Sequence, residues 1–278
     1  MIQETVCKFG PKDCLFGILT TPAAGQAVEG APIAVILNAG IVHRIGPFRL
    51  HVNLARQLAE NGFSTLRMDL SGLGDSPARP GKLNDGEDRA VLDVSDALEF
   101  LSQETGVNQF VILGLCSGAY NAHQVSVKDS RVVGSVFMDG IVFRTFGFYM
   151  HQYLLRFFRF RFWRNAIKRR FSDAHDVNET SGETLAESEF FGEDLDKDTV
   201  VKDMRSMMDR GVRMLFLYTD GYDDICSRSQ FREMYGLQPD DQLQVEYYPK
   251  SEHTFRLNEN REAACKRVTT WYESQFSA

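Results

Sequence analysis

The segment VILGLCSGAYNA, residues 111–122, has the residue types and spacing best suited to covalent chemistry in this chain. It passes from an apolar, β-rich run into a helix-like run through the pattern Gly114-x-Cys116-x-Gly118. A tight strand-to-helix turn crowds backbone atoms on both sides of its tip, and glycine leaves room for them. The residue at the tip is presented to a substrate, and a cysteine there attacks a carbonyl carbon as its thiolate. We therefore expect Cys116 to be a nucleophile.

Ser117 stands one residue after the tip, so the pattern assigns its hydroxyl no nucleophilic role. Its backbone N–H lies at the expected start of a helix, where amide groups lack a partner within the helix and attract negative charge. We expect this N–H to stabilise the oxyanion that forms when a carbonyl is attacked. A second N–H should come from the loop that follows AVILN, and Gly40 and Ile41 are the candidates for it.

A histidine and several acidic residues follow the cysteine in the chain, in the order that a nucleophile–acid–histidine triad requires. His253 lies in SEHTF, between the last expected strand and the terminal helix, where the base of such a triad belongs. Asp223 lies several residues beyond the strand MLFLYT, far enough along the loop to turn back toward His253. We expect Asp223 to be the acid. Three other aspartates at strand ends remain open for that role: Asp224, Asp220 and Asp139.

His43 and Arg44 lie farther along the loop that carries Gly40. We interpret them as a clamp that holds this loop against the turn DLSGLGDS, rather than as catalytic groups. That turn is rich in glycine, but it lacks both a following lysine and the G-x-G-x-x-G spacing of a phosphate or dinucleotide site.

Strands and helices must alternate along the chain to bring these residues together. Residues 7–9 and 14–20 predict an opening β-hairpin, and apolar β-rich runs then alternate with segments of helical spacing. This rhythm predicts an α/β fold with a mostly parallel, doubly wound sheet. We expect one core domain formed by residues 1–142 and 211–278, with a helical cap inserted at residues 143–210.

The expected cap contains MHQYLLRFFRFRFWRNAIKRR, in which aromatic residues are interleaved with arginines. Leu154, Phe158 and Phe162 fall on one helical face, and we expect this face to cover the site and hold substrate. A basic, aromatic helix can also lie on an anionic membrane surface or bind an acidic partner such as an acyl carrier protein. Membrane contact and carrier-protein binding therefore remain open as further roles of the cap.

Composition limits the remaining function classes. The 278 residues have a formal net charge of −7, which argues against a nucleic-acid binder. The first residues show no signal-peptide pattern, and no run of about 18 apolar residues suggests a membrane span, so we expect a cytoplasmic protein. Five cysteines without a C-x-x-C pair predict neither a disulfide framework nor a zinc site. We expect no metal and no cofactor.

The stretch from Leu37 to Ser76, the run GLCSGA and the late EHTF together resemble the α/β-hydrolase fold superfamily. Within it they are similar to bacterial serine-aminopeptidase-like hydrolases, including the exosortase-associated ones. The resemblance implies the α/β-hydrolase fold and a triad, and some members of the fold place the acid one strand earlier, at the position of Asp139. A cysteine at the turn is also similar to dienelactone hydrolases, but this chain is longer and has an insertion, so their lactone substrate is not transferred.

These residues predict an enzyme that cleaves an ester or thioester through an acyl-enzyme on Cys116. An acyltransferase that passes the acyl group to an amine, alcohol or thiol is the first alternative. A non-catalytic member of the fold that binds a ligand or partner is the second. A complete set of nucleophile, histidine and acid candidates favours the enzyme.

Overall fold

The computed structural model describes residues 1–81, 88–150, 195–221 and 224–277. Within these ranges eight strands form one sheet in the order β1-β2-β4-β3-β5-β6-β7-β8. The strands are β1 Gln3–Phe9, β2 Leu15–Thr21, β3 Ile33–Ile36, β4 Thr65–Asp69, β5 Phe110–Leu115, β6 Val132–Met138, β7 Arg213–Thr219 and β8 Leu243–Tyr248. The first two strands form the expected antiparallel hairpin, and β2 also runs antiparallel to β4. All pairs from β4 to β8 are parallel, which confirms the predicted sheet.

Helices cover both faces of this sheet. They are α1 Leu50–Glu60, α2 Arg89–Thr105, α3 Ser117–Lys128, α4 Lys197–Asp209, α5 Gln230–Tyr235 and α6 Asn258–Phe276. The apolar side chains of α1 and α6 belong to one buried cluster, and those of α2, α3, α4 and α5 belong to another. The sheet is therefore doubly wound, as the alternation of elements predicts.

The central strand β5 shows why the sequence folds in this way. All six residues of FVILGL are buried. Phe110 and Ile112 join the cluster on one face, whereas Val111 and Leu113 join the cluster on the other. A continuous apolar run of this kind is typical of a parallel strand covered on both sides. Its carboxyl end leads directly into the turn that carries Cys116.

Helix α4 lies within the range expected for the cap, but it packs as part of the core. Its Val200, Met204 and Met207 are buried against the sheet cluster, and His123 Nε2 of α3 lies 3.0 Å from Asp203 Oδ2 of α4. The helix leads into β7, so it serves as the crossover from β6 to β7 in a parallel sheet.

The aromatic part of the expected cap falls in residues 151–194, which lie outside the described residues. Leu154, Phe158 and Phe162 belong to that segment. Their role in substrate binding, and any contact with a membrane or a carrier protein, therefore stay predictions from the sequence. Among the helices that the structure describes, none is long and apolar enough to cross a membrane.

Candidate active site

The turn between β5 and α3 presents Cys116 at its tip. The backbone of Cys116 has φ 57° and ψ −121°, a strained combination for a residue with a side chain. A Cβ at Gly114 would lie 1.9 Å from the carbonyl oxygen of Gly118, and a Cβ at Gly118 would lie 2.4 Å from the carbonyl oxygen of Asn38. Both positions therefore require glycine, which is the reason predicted from the spacing. The Cys116 side chain is half-buried.

His253 reaches this turn from the loop after β8. The His253 ring hydrogen-bonds Asp139, and the Cys116 side chain is close enough to raise the pKa of the ring. The Nδ1 atom of His253 lies 3.1 Å from Oδ2 of Asp139, and 27% of the His253 side chain is exposed. The three side chains therefore come together at the carboxyl ends of β5, β6 and β8.

Asp139 follows β6 directly and is fully buried. Its carboxylate accepts hydrogen bonds from the backbone N–H of Thr219, at 2.7 Å, and from the Thr219 hydroxyl. The backbone N–H of Asp139 donates to the carbonyl of Leu217 at 2.9 Å. These bonds to β7 hold the carboxylate in one orientation, so its remaining contact is directed at His253.

The other aspartates considered for the acid have different surroundings. Asp220 accepts a hydrogen bond from the Tyr247 hydroxyl at 2.9 Å, and Asp224 pairs with Arg144 at 2.5 Å. Asp223, the acid expected from the sequence, lies outside the described residues. Among the aspartates that the structure describes, Asp139 is the one whose carboxylate contacts His253.

The surroundings of His253 favour its protonated form. Burial lowers its pKa, but the hydrogen bonds to Asp139 and Cys116, with the negative charge of both groups, outweigh burial and raise the pKa to about 9. A ring that is protonated at neutral pH can give a proton to a leaving group. The arrangement can therefore supply both a nucleophile and a proton donor.

The candidate oxyanion donors meet in a way that the spacing did not indicate. Ser117 begins α3, so its backbone N–H has no acceptor within the helix. The N–H of Gly40 donates to the hydroxyl oxygen of Ser117 at 2.8 Å, and Ser117 is buried. Ile41, the other candidate, has an exposed side chain. The contact between Gly40 and Ser117 joins the loop after β3 to the turn that carries the nucleophile.

Arg44 clamps the loop after β3, as interpreted from the sequence. Its guanidinium pairs with the buried carboxylate of Asp69 and with Asp75, at 2.6 Å from the latter. Asp69 also accepts from the side-chain amide of Asn38 at 3.0 Å, and Asn38 accepts from the N–H of Leu70 at 2.7 Å. These contacts position the loop that reaches Ser117. The side chain of His43 is exposed.

The residues that hold the loop after β6 in place are not evident from the sequence. The hydroxyl of Tyr235 in α5 donates to the carbonyl of Ile141, and the N–H of Phe143 donates to the sulfur of Met234 at 3.2 Å. The support that Thr219 gives Asp139 has one signal in the sequence, because Thr219 ends β7, the strand next to the one that Asp139 follows. In the described ranges, no three His, Cys, Asp or Glu side chains group closely enough to hold a metal ion.

Known proteins that resemble this chain share its fold. A family model described as the alpha/beta hydrolase fold matches residues 33–247. No curated protein matches the chain.

Solved structures extend the likeness over the whole chain. A dienelactone hydrolase from Anabaena variabilis is 14% identical, with a TM-score of 0.58 over 99% of each chain. An esterase from Pyrococcus furiosus is 13% identical, with a TM-score of 0.61 over 100% of this chain and 92% of the esterase. A proline iminopeptidase from Mycobacterium smegmatis is 15% identical, with a TM-score of 0.58 over 98% of each chain. At these identities the likeness establishes the fold alone.

Proposed function

The chain belongs to the α/β-hydrolase fold family, and on that premise we propose that it cleaves esters or thioesters through an acyl-enzyme on Cys116. The observation that carries the proposal is the grouping of Cys116, His253 and Asp139, in which His253 hydrogen-bonds Asp139 and Cys116 helps to raise the pKa of His253. A nucleophile, a base and an acid in contact are the elements that covalent acyl transfer requires.

The first half-reaction transfers the acyl group to sulfur. The Cys116 thiolate attacks the carbonyl carbon, and the carbonyl electron pair moves onto oxygen, where the backbone N–H of Ser117 stabilises it. When the carbonyl forms again, the bond to the leaving alkoxide or thiolate breaks. The imidazolium of His253 gives its proton to that leaving group. The products are a thioester on Cys116, a neutral His253 and a free alcohol or thiol.

The second half-reaction releases the acid. Acylation removes the thiolate charge that helps to raise the pKa of His253, so this pKa falls and the neutral ring becomes available as a base. His253 takes a proton from water while the water oxygen attacks the thioester carbonyl. The carbon–sulfur bond then breaks, which releases the carboxylic acid and restores the thiolate beside an imidazolium. Asp139 keeps the His253 ring oriented in both steps.

A cysteine nucleophile favours thioesters and activated esters as substrates. Attack on a substrate thioester replaces one thioester by another, so the first step is close to thermoneutral and reversible. The thioester on Cys116 is also a good donor to amines, alcohols and other thiols, which makes acyl transfer the second candidate function. Hydrolysis ranks first because water is available at any half-buried site.

A panel of acyl thioesters and p-nitrophenyl esters tests the proposal. Each substrate is supplied with and without amine and alcohol acceptors, and the products and the intact protein are followed by mass spectrometry. We expect free acid as the product and a transient mass increase on the peptide that contains Cys116. Amides or new esters formed in the presence of acceptors would establish transfer, whereas a rate and product unaffected by acceptors would exclude it.

The same panel distinguishes an enzyme from a binding protein. If no ester is turned over and no probe labels Cys116, the chain is a non-catalytic member of the fold. If turnover continues in the Cys116→Ala variant, the chain is a hydrolase with a different nucleophile. Either result would overturn the proposed mechanism.

A further inference from the structure

We infer that the hydroxyl of Ser117, held by the N–H of Gly40, donates a hydrogen bond to the oxyanion that forms when Cys116 attacks its substrate. The inference rests on the proposed function and adds a side chain to an oxyanion site expected to consist of backbone N–H groups. It makes Ser117 a catalytic residue through its side chain as well as its backbone.

The contact between Gly40 and Ser117 fixes the direction of the loop amide. The Gly40 N–H donates to the hydroxyl oxygen of Ser117 at 2.8 Å, within the ordinary range of an N–H···O bond. An amide N–H carries one hydrogen, and here it is already directed at the hydroxyl. The Gly40 N–H, which was expected to bind the oxyanion, therefore binds the Ser117 hydroxyl instead.

The hydroxyl of Ser117 still has its own hydrogen to donate. A serine hydroxyl accepts through its oxygen and donates one hydrogen, whose direction rotates to suit its partner. Within the described part of the chain, the contact with Gly40 is the hydrogen bond that the Ser117 hydroxyl makes. A substrate oxyanion is the acceptor that would complete its bonding.

Two hydrogen bonds in series favour this role: the Gly40 N–H donates to the Ser117 hydroxyl, and the hydroxyl donates to the oxyanion. A hydroxyl that accepts from an amide is polarised and becomes a better donor. Ser117 is buried, so its hydrogen bonds are stronger than they would be in water. Its N–H and its hydroxyl belong to the residue directly after Cys116, so both groups lie close to the attacking residue in the chain.

Loss of the Ser117 hydroxyl provides the test, with activity on a p-nitrophenyl ester as the first readout. We expect Ser117→Ala to lower kcat/KM and kcat by a similar factor of roughly 10² or more, because an interaction specific to the transition state is lost. Ser117→Thr, which keeps the hydroxyl, should recover most of this loss. Ser126→Ala is the matched control, since Ser126 is a buried serine of the same helix that bonds Ala122 and Ser135.

An alkyl trifluoromethyl ketone and iodoacetamide separate the oxyanion role from a structural one. The thiolate of Cys116 adds to the ketone and forms a stable oxyanion, so affinity should fall in Ser117→Ala by about the same factor as kcat/KM. Iodoacetamide alkylates the thiolate with loss of iodide and forms no oxyanion. Its rate with Ser117→Ala should stay within about twofold of the wild-type rate.

Three outcomes would overturn the inference. A Ser117→Ala variant with wild-type kcat/KM would show that the hydroxyl is not used, and a faster variant would show that it blocks the oxyanion site. If Ser117→Ala lowers the alkylation rate by the same factor as the turnover, and also lowers the melting temperature, Ser117 has a structural role. A wild-type protein that turns over no ester and is not labelled at Cys116 would instead contradict the proposed function.

Discussion

The Oδ2 atom of Asp139 lies 3.1 Å from the Nδ1 atom of His253, although the two residues are 114 positions apart in the chain. The contact exists because the parallel strands β6 and β8 end at the same edge of the sheet, on either side of β7. Asp139 follows β6, and His253 lies in the loop after β8. Thr219, the last residue of β7, binds the Asp139 carboxylate through its N–H and hydroxyl. Asp139, the acid of the proposed triad, therefore follows β6 and is held in place by the last residue of β7.

Asp139→Asn should lower turnover far more than the same change at the other described aspartates. A carboxylate that orients a catalytic histidine and stabilises its imidazolium is worth up to ~10⁴ in turnover. Asp220→Asn and Asp224→Asn should stay within about threefold of wild type, since these carboxylates contact Tyr247 and Arg144 instead. Steady-state kinetics of the purified variants provides the measurement.

Asp223→Asn belongs in the same series, because the sequence predicts Asp223 as the acid. A large loss there with a mild loss at Asp139 would restore the expectation from the sequence. Equal, mild losses at all four positions would mean that His253 works without a carboxylate.

Cys116 should be the cysteine that reacts with iodoacetamide at neutral pH, because it contacts the imidazolium of His253. Cys116→Ala should abolish both this labelling and the acyl-enzyme. Cys226 is the matched control: it is also half-buried, but burial raises the pKa of its thiol and its sulfur lies 3.4 Å from the side-chain oxygen of Gln230. Peptide mass spectrometry locates the label, and a Cys226→Ala variant that loses it would contradict the assignment.

His253 should titrate at about pH 9 in the resting protein, and both of its partners should contribute. Its pKa should fall in Asp139→Asn and in Cys116→Ala, because each change removes a group that raises it. NMR of the imidazole ring against pH measures these values. A pKa unchanged by both substitutions would show that the contacts seen here do not form in solution.

The same shift sets the pH range in which the His253 contacts stabilise the fold. The folded-state pKa lies above the value of ~6.5 for an unfolded histidine, so the stabilisation is complete below that pH. It is lost as the pH rises through about 9. Denaturant unfolding at pH 6 and pH 10 should show this loss in the wild type and a smaller one in Asp139→Asn.

His51 should destabilise the protein in acid. The ring is fully buried in α1, neither nitrogen has a partner among the described residues, and burial lowers its pKa to about 4. The unfolded chain, with a histidine pKa of ~6.5, binds more protons between these values, so stability falls as the pH drops through that window. The loss from pH 7 to pH 4.5 should be about 2 kcal/mol.

Replacement of His51 by leucine tests this origin of acid sensitivity. His51→Leu should remove most of the His51 contribution in urea unfolding at the two pH values. His43→Gln serves as the control, because the side chain of His43 is exposed. An acid sensitivity equal in His51→Leu and wild type would place its origin elsewhere.

Arg44→Gln should cost more stability than the same change at an exposed ion pair. It leaves the buried carboxylate of Asp69 without its guanidinium partner, and breaking a buried pair costs about 3 kcal/mol. Arg56→Gln is the control, because 44% of the Arg56 side chain is exposed in its pair with Glu4 and such a pair contributes less than about 1 kcal/mol. Similar losses in urea unfolding for both variants would show that the Arg44 clamp has no special role.

Local spacing was enough to predict the sheet and the turn at Cys116. The six buried residues of β5 and the glycines at 114 and 118 act over a few residues, through side-chain alternation and backbone crowding. Such features repeat in any strand or turn of the same kind, so they can be recognised without knowledge of the rest of the chain. The position of His253 before the last helix follows from the same alternation of elements.

Tertiary structure alone determined which described aspartate meets His253 and where the Gly40 amide points. Asp139 and Asp220 both follow strands that end at one edge of the sheet, and the sequence does not rank them. The two carboxylates differ in their partners. Asp139 contacts Thr219 and His253, whereas Asp220 contacts Tyr247. Contacts of this kind depend on the twist and register of neighbouring strands, which arise from packing between distant parts of the chain and leave no local pattern.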